Sequence, residues 1–317
     1  MSFVTTIIPV FNAQHYLGEA LDSVARQTRR PDRVIVLDDC STDDSPRIAA
    51  AFKPLACEVV RNERNLGLFQ NHNRGLTYAA QTDFLHFLHG DDFIMPAFYE
   101  KLLAAQAGLH GRTLAYCDHV VVDEQGVPLR GGWARKNRPN RIVPVKSLLV
   151  QLAEMRPILL HGALLKTARQ AAPCQFRLDL PQVGDCVFHA EWAKTCDTIV
   201  EVPEALVAHR SHPKSASTRN RLQLKAALSD EWIAMTRIAQ LMGETGWRRF
   251  YRRQKLALHF GMLARLKVKM LRADPVYARQ LRDEAIRTVG RFYWLAGQLL
   301  AVLRSIAIRT GVIESRR

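Results

Sequence analysis

Two adjacent carboxylates, Asp91-Asp92, directly follow the apolar run Asp83-Phe-Leu-His-Phe-Leu88 and precede Phe-Ile-Met-Pro96. Short carboxylates on a turn at the end of a strand can hold a hard divalent cation through oxygen. Mg²⁺ and Mn²⁺ need only one or two carboxylates when phosphate oxygens complete the shell. A plain helix N-cap before Pro96 is the structural alternative, since Asp also suits that role. Asp38-Asp39 repeats the pattern after Arg33-Val-Ile-Val-Leu37, and there Asp39 can accept from the imide N–H of a uracil or cap a turn. Other chemistries lack their residues. The chain has no Gly-x-Gly-x-x-Gly, no phosphate-loop Gly-Lys-Ser/Thr and no Gly-x-Ser-x-Gly nucleophile elbow.

These carboxylates need elements to carry them. Residues 3–9, 33–37, 58–62 and 83–88 read as strands, separated by helix-period segments at 16–26, 44–52 and 69–80. Such alternation predicts a Rossmann-like α/β domain, a mostly parallel sheet with helices on both faces. Ligands of such sheets lie at the carboxyl ends of the strands, where Asn12, Asp38-Asp39 and His89-Gly-Asp-Asp92 stand. Further on, residues 113–122 read as a strand entering a turn at Asp123-Glu-Gln-Gly126. Residues 130–141 are polar, basic and turn-rich, a solvated loop or a lid. Residues 184–195 read as a helix and 198–207 as extended. From Arg219 onward the reading is all helix, with Leu224, Leu228, Trp232, Met235, Ala239 and Met242 at spacings of three and four.

Charge divides the chain at the same place. Its 317 residues carry a net charge of +15. Residues 1–218 hold 24 Lys and Arg against 23 Asp and Glu, a net +1, whereas residues 219–317 hold 21 against 7, a net +14. Two parts are expected, a catalytic or binding domain over 1–218 and a basic α-helical region over 219–317. Three readings fit the basic part: a helical bundle with a solvated face, a membrane-surface attachment, or nucleic-acid binding. Residues 292–303, FYWLAGQLLAVL between Arg291 and Arg304, are too short an apolar run to span a bilayer but suit an interfacial helix. The N-terminal MSFVTTIIPVF reads as a first strand rather than a signal peptide. Six cysteines with no C-x-x-C pair fit a reduced, cytoplasmic compartment better than a disulfide framework.

The pieces also resemble, in order and spacing, the nucleotide-sugar domain of family-2 glycosyltransferases. The residues concerned are Ile8-Pro-Val-Phe-Asn12, Val36-Leu-Asp-Asp-Cys-Ser-Thr-Asp43, Asn65-Leu-Gly67, Asn73-Arg-Gly75, Phe87-Leu-His-Gly-Asp-Asp92 and Pro96. The resemblance continues through Tyr116-Cys-Asp118, Asp123–Gly126, Gly184-Asp185 and His209-Arg-Ser-His212 with Ser215-Ala-Ser217, and covers about residues 1–218. It implies a glycosyltransferase-A fold and an inverting, metal-dependent transfer from a nucleotide-diphosphate sugar, a UDP-sugar foremost, to a hydroxyl of a glycan or lipid-linked acceptor.

Site residues carry over by position. Pro9, Phe11 and Asn12 would line the donor pocket, Asp39 would hold the base edge, and Asp91 would approach the ribose. Asp92 would ligate Mn²⁺ or Mg²⁺ with help from His212, Arg210 would neutralise diphosphate, and Asp185 would be the general base, with Asp179 and Glu191 as alternatives. Four positions depart from the family pattern: His89 replaces an acidic residue, Cys40 a Gly, His72 an Arg in the donor site, and Gly184 a Glu. A non-catalytic sugar-nucleotide or glycan-binding protein on the same fold, and a basic nucleic-acid-binding module, are the competing functions. His86 and His89 point apart along their strand, so a zinc pair is not expected there. His119 reads as structural, and His15, His110, His161, His189 and His259 show no partner pattern.

Overall fold

The computed structural model describes residues 2–129, 138–213, 215, 228–270 and 274–309. Most of the basic loop at 130–141, Ser217 and the start of the helical tail, with Arg219 and Leu224, lie outside the described residues. Contacts divide the chain into two units. The first comprises Met1–Leu148, Pro157–Leu178 and Phe188–His212, and the second Leu149–Arg156, Asp179–Val187 and Pro213–Arg317. The last stretch of the second unit begins at Pro213, near the change of charge at 218, and the unit also includes two short segments from within 1–218.

The first unit is built on one nine-stranded sheet. Its strands are β1 (Val4–Val10), β2 (Arg33–Asp38), β3 (Glu58–Arg61), β4 (Phe84–Phe87), β5 (Phe93–Ile94), β6 (Thr113–Val122), β7 (Arg141–Ile142), β8 (Ala163–Lys166) and β9 (Thr198–Arg210). They run in the order β3-β2-β1-β4-β8-β6-β9-β5, with β7 on β9. The β3-β2-β1-β4 half is parallel. β8 runs antiparallel between β4 and β6, and β6 pairs parallel with β9. The helices are α1 (Leu17–Ala25), α2 (Ser45–Ala51), α3 (Leu68–Leu76), α4 (Phe98–Ala105), α5 (Val145–Ala153) and α6 (Gly184–Ala193), then α7 (Asp230–Leu241), α8 (Gly246–Met270), α9 (Pro275–Val289) and α10 (Arg291–Arg309).

Every residue of β1 is buried, as expected for a central strand covered on both faces. Side chains alternate along it. Val4, Ile8 and Val10 join Leu17, Leu21 and Val24 of α1 and Phe98 and Leu102 of α4. Ile7, on the opposite face, lies with Phe87 against Gly75 of α3. A Cβ on Gly75 would stand 2.7 Å from the Phe87 ring and 2.9 Å from Ile7, so the Asn73-Arg-Gly75 piece is needed for helix-to-sheet approach. Gly75→Ala is therefore expected to cost about 1–3 kcal/mol by overpacking. Chemical denaturation measures it, and an unchanged midpoint would contradict this close approach.

Helices α7 to α10 belong to the second unit. Gly261 of α8 and Gly297 of α10 meet backbone to backbone, a Cβ on Gly297 falling 2.5 Å from the carbonyl carbon of Gly261. No helix among the described residues is long and apolar enough to cross a membrane. All six cysteines are unpaired with one another.

Candidate active site

The site lies at the carboxyl ends of β1, β2, β4 and β9. Two of its loops need left-handed backbone: Asn12 has φ 52° and Cys40 φ 61°. Asn tolerates that region. At Cys40 it explains why glycine is the usual residue in the resembling family, because glycine occupies positive φ without strain.

The first two loops are laced together. Asn12 donates its N–H to Ser41 Oγ (3.0 Å), and its side-chain Oδ1 accepts from the Thr42 N–H (2.8 Å). Ala13 N–H donates to Ser45 Oγ and Gln14 N–H to Asp43 Oδ2. The Asp39 carboxylate is 2% exposed and accepts from Leu66 N–H (2.7 Å), Gly67 N–H (2.9 Å) and the Asn62 amide (2.7 Å). It therefore fixes the Asn65-Leu-Gly67 turn, and of roughly four lone-pair sites on a carboxylate one remains, on Oδ2. Pro9, which the resemblance puts in the donor pocket, is buried inside β1 opposite Leu37. Phe11 is 44% exposed just beyond it.

Asp91 and Asp92 follow β4 and meet different partners. Gly90 lets their turn sit on the end of β1, since a Cβ there would lie 3.2 Å from Val10. The Asp91 side chain is 32% exposed and its Oδ2 lies 3.1 Å from His212 Nε2. Asp92 is buried. Its Oδ1 accepts from Arg210 N–H at 2.7 Å. Three imidazoles surround it: His89 Nδ1 at 3.3 Å and His161 Nδ1 at 3.2 Å from Oδ2, and His209 Nδ1 at 3.4 Å from Oδ1. Burial alone would raise the Asp92 carboxyl, but His161, His209 and His89 outweigh it and hold the group well below the usual carboxylate range. Burial pushes His161 well below an ordinary imidazole, whereas at His209 burial is outweighed by Asp92 and the ring is raised. The pairing of Asp92 with His212 expected from sequence gives way to Asp91 with His212, because the two carboxylates of one tight turn face opposite ways.

Two further expectations are corrected. Arg210 is 2% exposed. Its guanidinium donates to Asp91 O (2.9 Å), Glu124 O (2.6 Å), Asp123 O (3.2 Å) and Glu19 Oε2 (2.5 Å), and lies over the Tyr16 ring. With those donors committed, it is a strut that ties the Asp91 turn to the Asp123–Gly126 turn. His72 is wholly buried, stacked on Phe87 and edge-on to Phe176, with Nδ1 2.6 Å from Leu68 O. Burial pushes its pKa down to about 3. It is a neutral core aromatic of α3.

Asp185 stands in the first turn of α6, half-buried, its Oδ1 accepting from Cys186 N–H (2.8 Å). It belongs to the second unit, as does Asp179, which is exposed; Glu191, half-buried, belongs to the first. His86, as expected, turns away from His89, to Tyr99 Oη and His161 O. His161 is the residue that sequence reading missed. It sits in the 3-10 turn Leu160–Gly162 before β8, some seventy positions from His89, and no local spacing announces it.

A divalent cation fits the residues present. A part-exposed carboxylate and an imidazole 3.1 Å apart, at the ends of two strands, are oxygen and nitrogen donors that diphosphate oxygens can complete.

Comparison with known proteins agrees with this architecture. Residues 5–142 match the model of "Glycosyl transferase family 2". Glycosyltransferase GlyA of Streptococcus pneumoniae is 32% identical over 111 residues, 33% of this chain and 16% of that protein. A PGL/p-HBAD biosynthesis glycosyltransferase of Mycobacterium bovis is 35% identical over 106 residues, 33% of this chain and 41% of that one. The match thus spans less than half the length of either relative. Among solved structures, Staphylococcus aureus TarS residues 1–349 in complex with UDP-GlcNAc superpose with a TM-score of 0.67 at 18% identity, covering 98% of this chain and 92% of that one. The mannosyltransferase PcManGT of Pyrobaculum calidifontis, in complex with GDP-Man and Mn²⁺, gives 0.56 at 15% identity, over 95% and 87%. At these identities the superpositions establish the shared fold. Residues 5–142, within the nine-stranded first unit, are thus similar to family-2 glycosyltransferases.

Proposed function

We propose that this protein is an inverting glycosyltransferase that moves a sugar from a nucleotide diphosphate, a UDP-sugar foremost, to a hydroxyl of a glycan or lipid-linked acceptor. The observation that carries the reading is the part-exposed Asp91 carboxylate held by His212 at the end of β4, within the matched family region. Asp91 and His212 would hold Mn²⁺ or Mg²⁺ against the donor diphosphate, in place of the Asp92 position read from sequence. Bound there, the cation would offset the charge that develops on the leaving nucleoside diphosphate. Phe11 would lie against the base, and the remaining Oδ2 lone pair of Asp39 would accept its imide N–H. Asp185 would take the proton of the acceptor hydroxyl as the new bond to the anomeric carbon forms. A single displacement with Asp185 as the base would invert the anomeric carbon.

The test is a panel of nucleotide sugars, with and without Mn²⁺, read by thermal stabilisation and then by nucleoside diphosphate release. Ligands that bind only the folded state raise its apparent stability, by about 2.7 kcal/mol at a hundredfold excess over Kd. One UDP-sugar is expected to stabilise the protein with Mn²⁺ and to release UDP when acceptor is supplied. Stabilisation without release under every acceptor tried would favour a non-catalytic sugar-nucleotide-binding protein.

The same reading places the protein on the cytoplasmic face of a membrane, through its basic second unit. Phe292 (71% exposed), Leu295, Leu299 and Leu303 form one exposed stripe on α10. Trp247 (76% exposed), Phe250 and Tyr251 stand exposed among Arg248, Arg249 and Arg253 on α8. Apolar stripes beside cations suit an anionic bilayer surface. Co-sedimentation with anionic vesicles is expected at low salt, reversed by high salt, and absent when the chain is cut after residue 220. Equal behaviour of full-length and truncated protein would contradict it.

A further inference from the structure

We infer that His89, Asp92 and His161 form a second metal site, selective for a borderline divalent ion of the zinc class and separate from the donor cation at Asp91 and His212. One ligand atom from each of the three residues lies within 4.8 Å of the other two. Two edges of that triangle, Asp92 Oδ2 to His161 Nδ1 at 3.2 Å and to His89 Nδ1 at 3.3 Å, match a tetrahedral shell, in which ligands about 2.0–2.1 Å from zinc stand roughly 3.3 Å apart.

His89 Nδ1 meets hydrogen-bond geometry to Asp92 Oδ2, but His161 does not, and that marks it as a ligand rather than a hydrogen-bond partner. His161 is 1% exposed, and although its Nδ1 is 3.2 Å from the carboxylate it is not aligned to donate to it. Neither ring nitrogen of His161 has a hydrogen-bond partner among the described residues. His209 Nδ1 is likewise 3.4 Å from Oδ1 and out of line. Buried polar atoms left without partners are costly. Two lone pairs that converge beside each other rather than on each other are what two ligands of one ion present. His209, whose ring stacks on His161 at 5.8 Å, or a water would take the fourth position.

The donor set decides the ion. Two imidazoles and one carboxylate suit Zn²⁺ and its late first-row neighbours, whereas Mg²⁺ prefers oxygen and keeps its waters. The consequence is structural. The ion would tie the turn after β4, which carries Asp91, to the turn Leu160–Gly162 before β8, and so would set where the Asp91 carboxylate stands. The site goes beyond the glycosyltransferase reading, because neither Asp91 nor His212 ligates it and no nucleotide is needed.

The test uses the full-length, untagged protein, stripped with chelator and titrated with Co²⁺ without nucleotide. One equivalent is expected to give the visible absorption of four-coordinate Co²⁺, displaced by Zn²⁺ and unaffected by Mg²⁺. The band is expected to persist in Asp91→Asn. In His89→Gln and His161→Asn, Co²⁺ affinity should fall by at least the roughly 10–100-fold that losing even an outer-shell partner costs. His89 is part-exposed, so its variant keeps the test valid if the buried His161 variant does not fold. No four-coordinate band, a band that needs UDP, a band lost in Asp91→Asn, or one unchanged in folded His89→Gln would each overturn the site. UDP binding with Mg²⁺ is measured apart from it, so either claim can fail alone.

Discussion

Asp185→Asn is expected to bind the UDP-sugar with Mn²⁺ as tightly as the unaltered protein while transferring at least about 10²–10⁴-fold more slowly, the usual contribution of a positioned general base. Asparagine keeps the size of the side chain and can still accept from the Cys186 N–H at the start of α6, so the helix end is left as it is. What it removes is the ability to take a proton. The split between binding and turnover separates this role from a structural one, because a helix-terminus defect lowers stability and leaves the ratio of bound to converted donor alone. Steady-state rates with the unaltered donor Kd decide it. Turnover within a few-fold of the unaltered protein would remove Asp185 as the base and return attention to Asp179 and Glu191.

Asp91→Asn is expected to act earlier, on the donor itself. With Asp91 neutral, the pair with His212 no longer offers an anionic ligand at the exposed edge of the site. UDP affinity in the presence of Mn²⁺ should fall by about tenfold or more, which is 1.4 kcal/mol or more, toward the value measured without metal. Asp92→Asn makes the contrast. That carboxylate is buried among His89, His161, His209 and the Arg210 N–H, and removing one partner of a buried charged cluster costs on the order of 3–5 kcal/mol. Its deficit is expected first as a fall in thermal midpoint. Two adjacent aspartates thus give opposite signatures, one in ligand affinity and one in stability.

The parallel half of the sheet was legible because each of its strands is an apolar run followed by a polar turn. β1, β2, β3 and β4 fall within a residue or two of their expected positions. The two-residue strands β5 and β7 carry too few residues to show a period, and β8, Ala-Leu-Leu-Lys, has no β-branched or aromatic residue to mark it as a strand, so none of the three was legible. In the site, the order of turn residues pointed to loops that the fold brings together at the carboxyl ends of β1, β2, β4 and β9. It did not show which way each side chain faces. Within one turn that is set by long-range contacts: Arg210 reaches Glu19, 191 positions away, and His161 reaches Asp92 from the turn before β8. His72 illustrates the same limit. A position that holds a donor-site arginine in the resembling family is here turned into the core, stacked on Phe87 and edge-on to Phe176, which no local pattern around Asn71-His-Asn73 reveals. Cys40 shows the converse, since the unusual residue keeps the left-handed backbone that the turn requires.

The claim on which the account rests is that the exposed carboxylate of the Asp91-Asp92 turn holds a cation against a nucleoside diphosphate. Calorimetric titration of UDP into the full-length protein, with Mn²⁺ and with chelator, and repeated on Asp91→Asn, tests it most directly. Clearly tighter binding with Mn²⁺ is expected in the unaltered protein, and no such difference in the variant. Equal UDP affinity with and without Mn²⁺, or a metal dependence that survives Asp91→Asn undiminished, would contradict it.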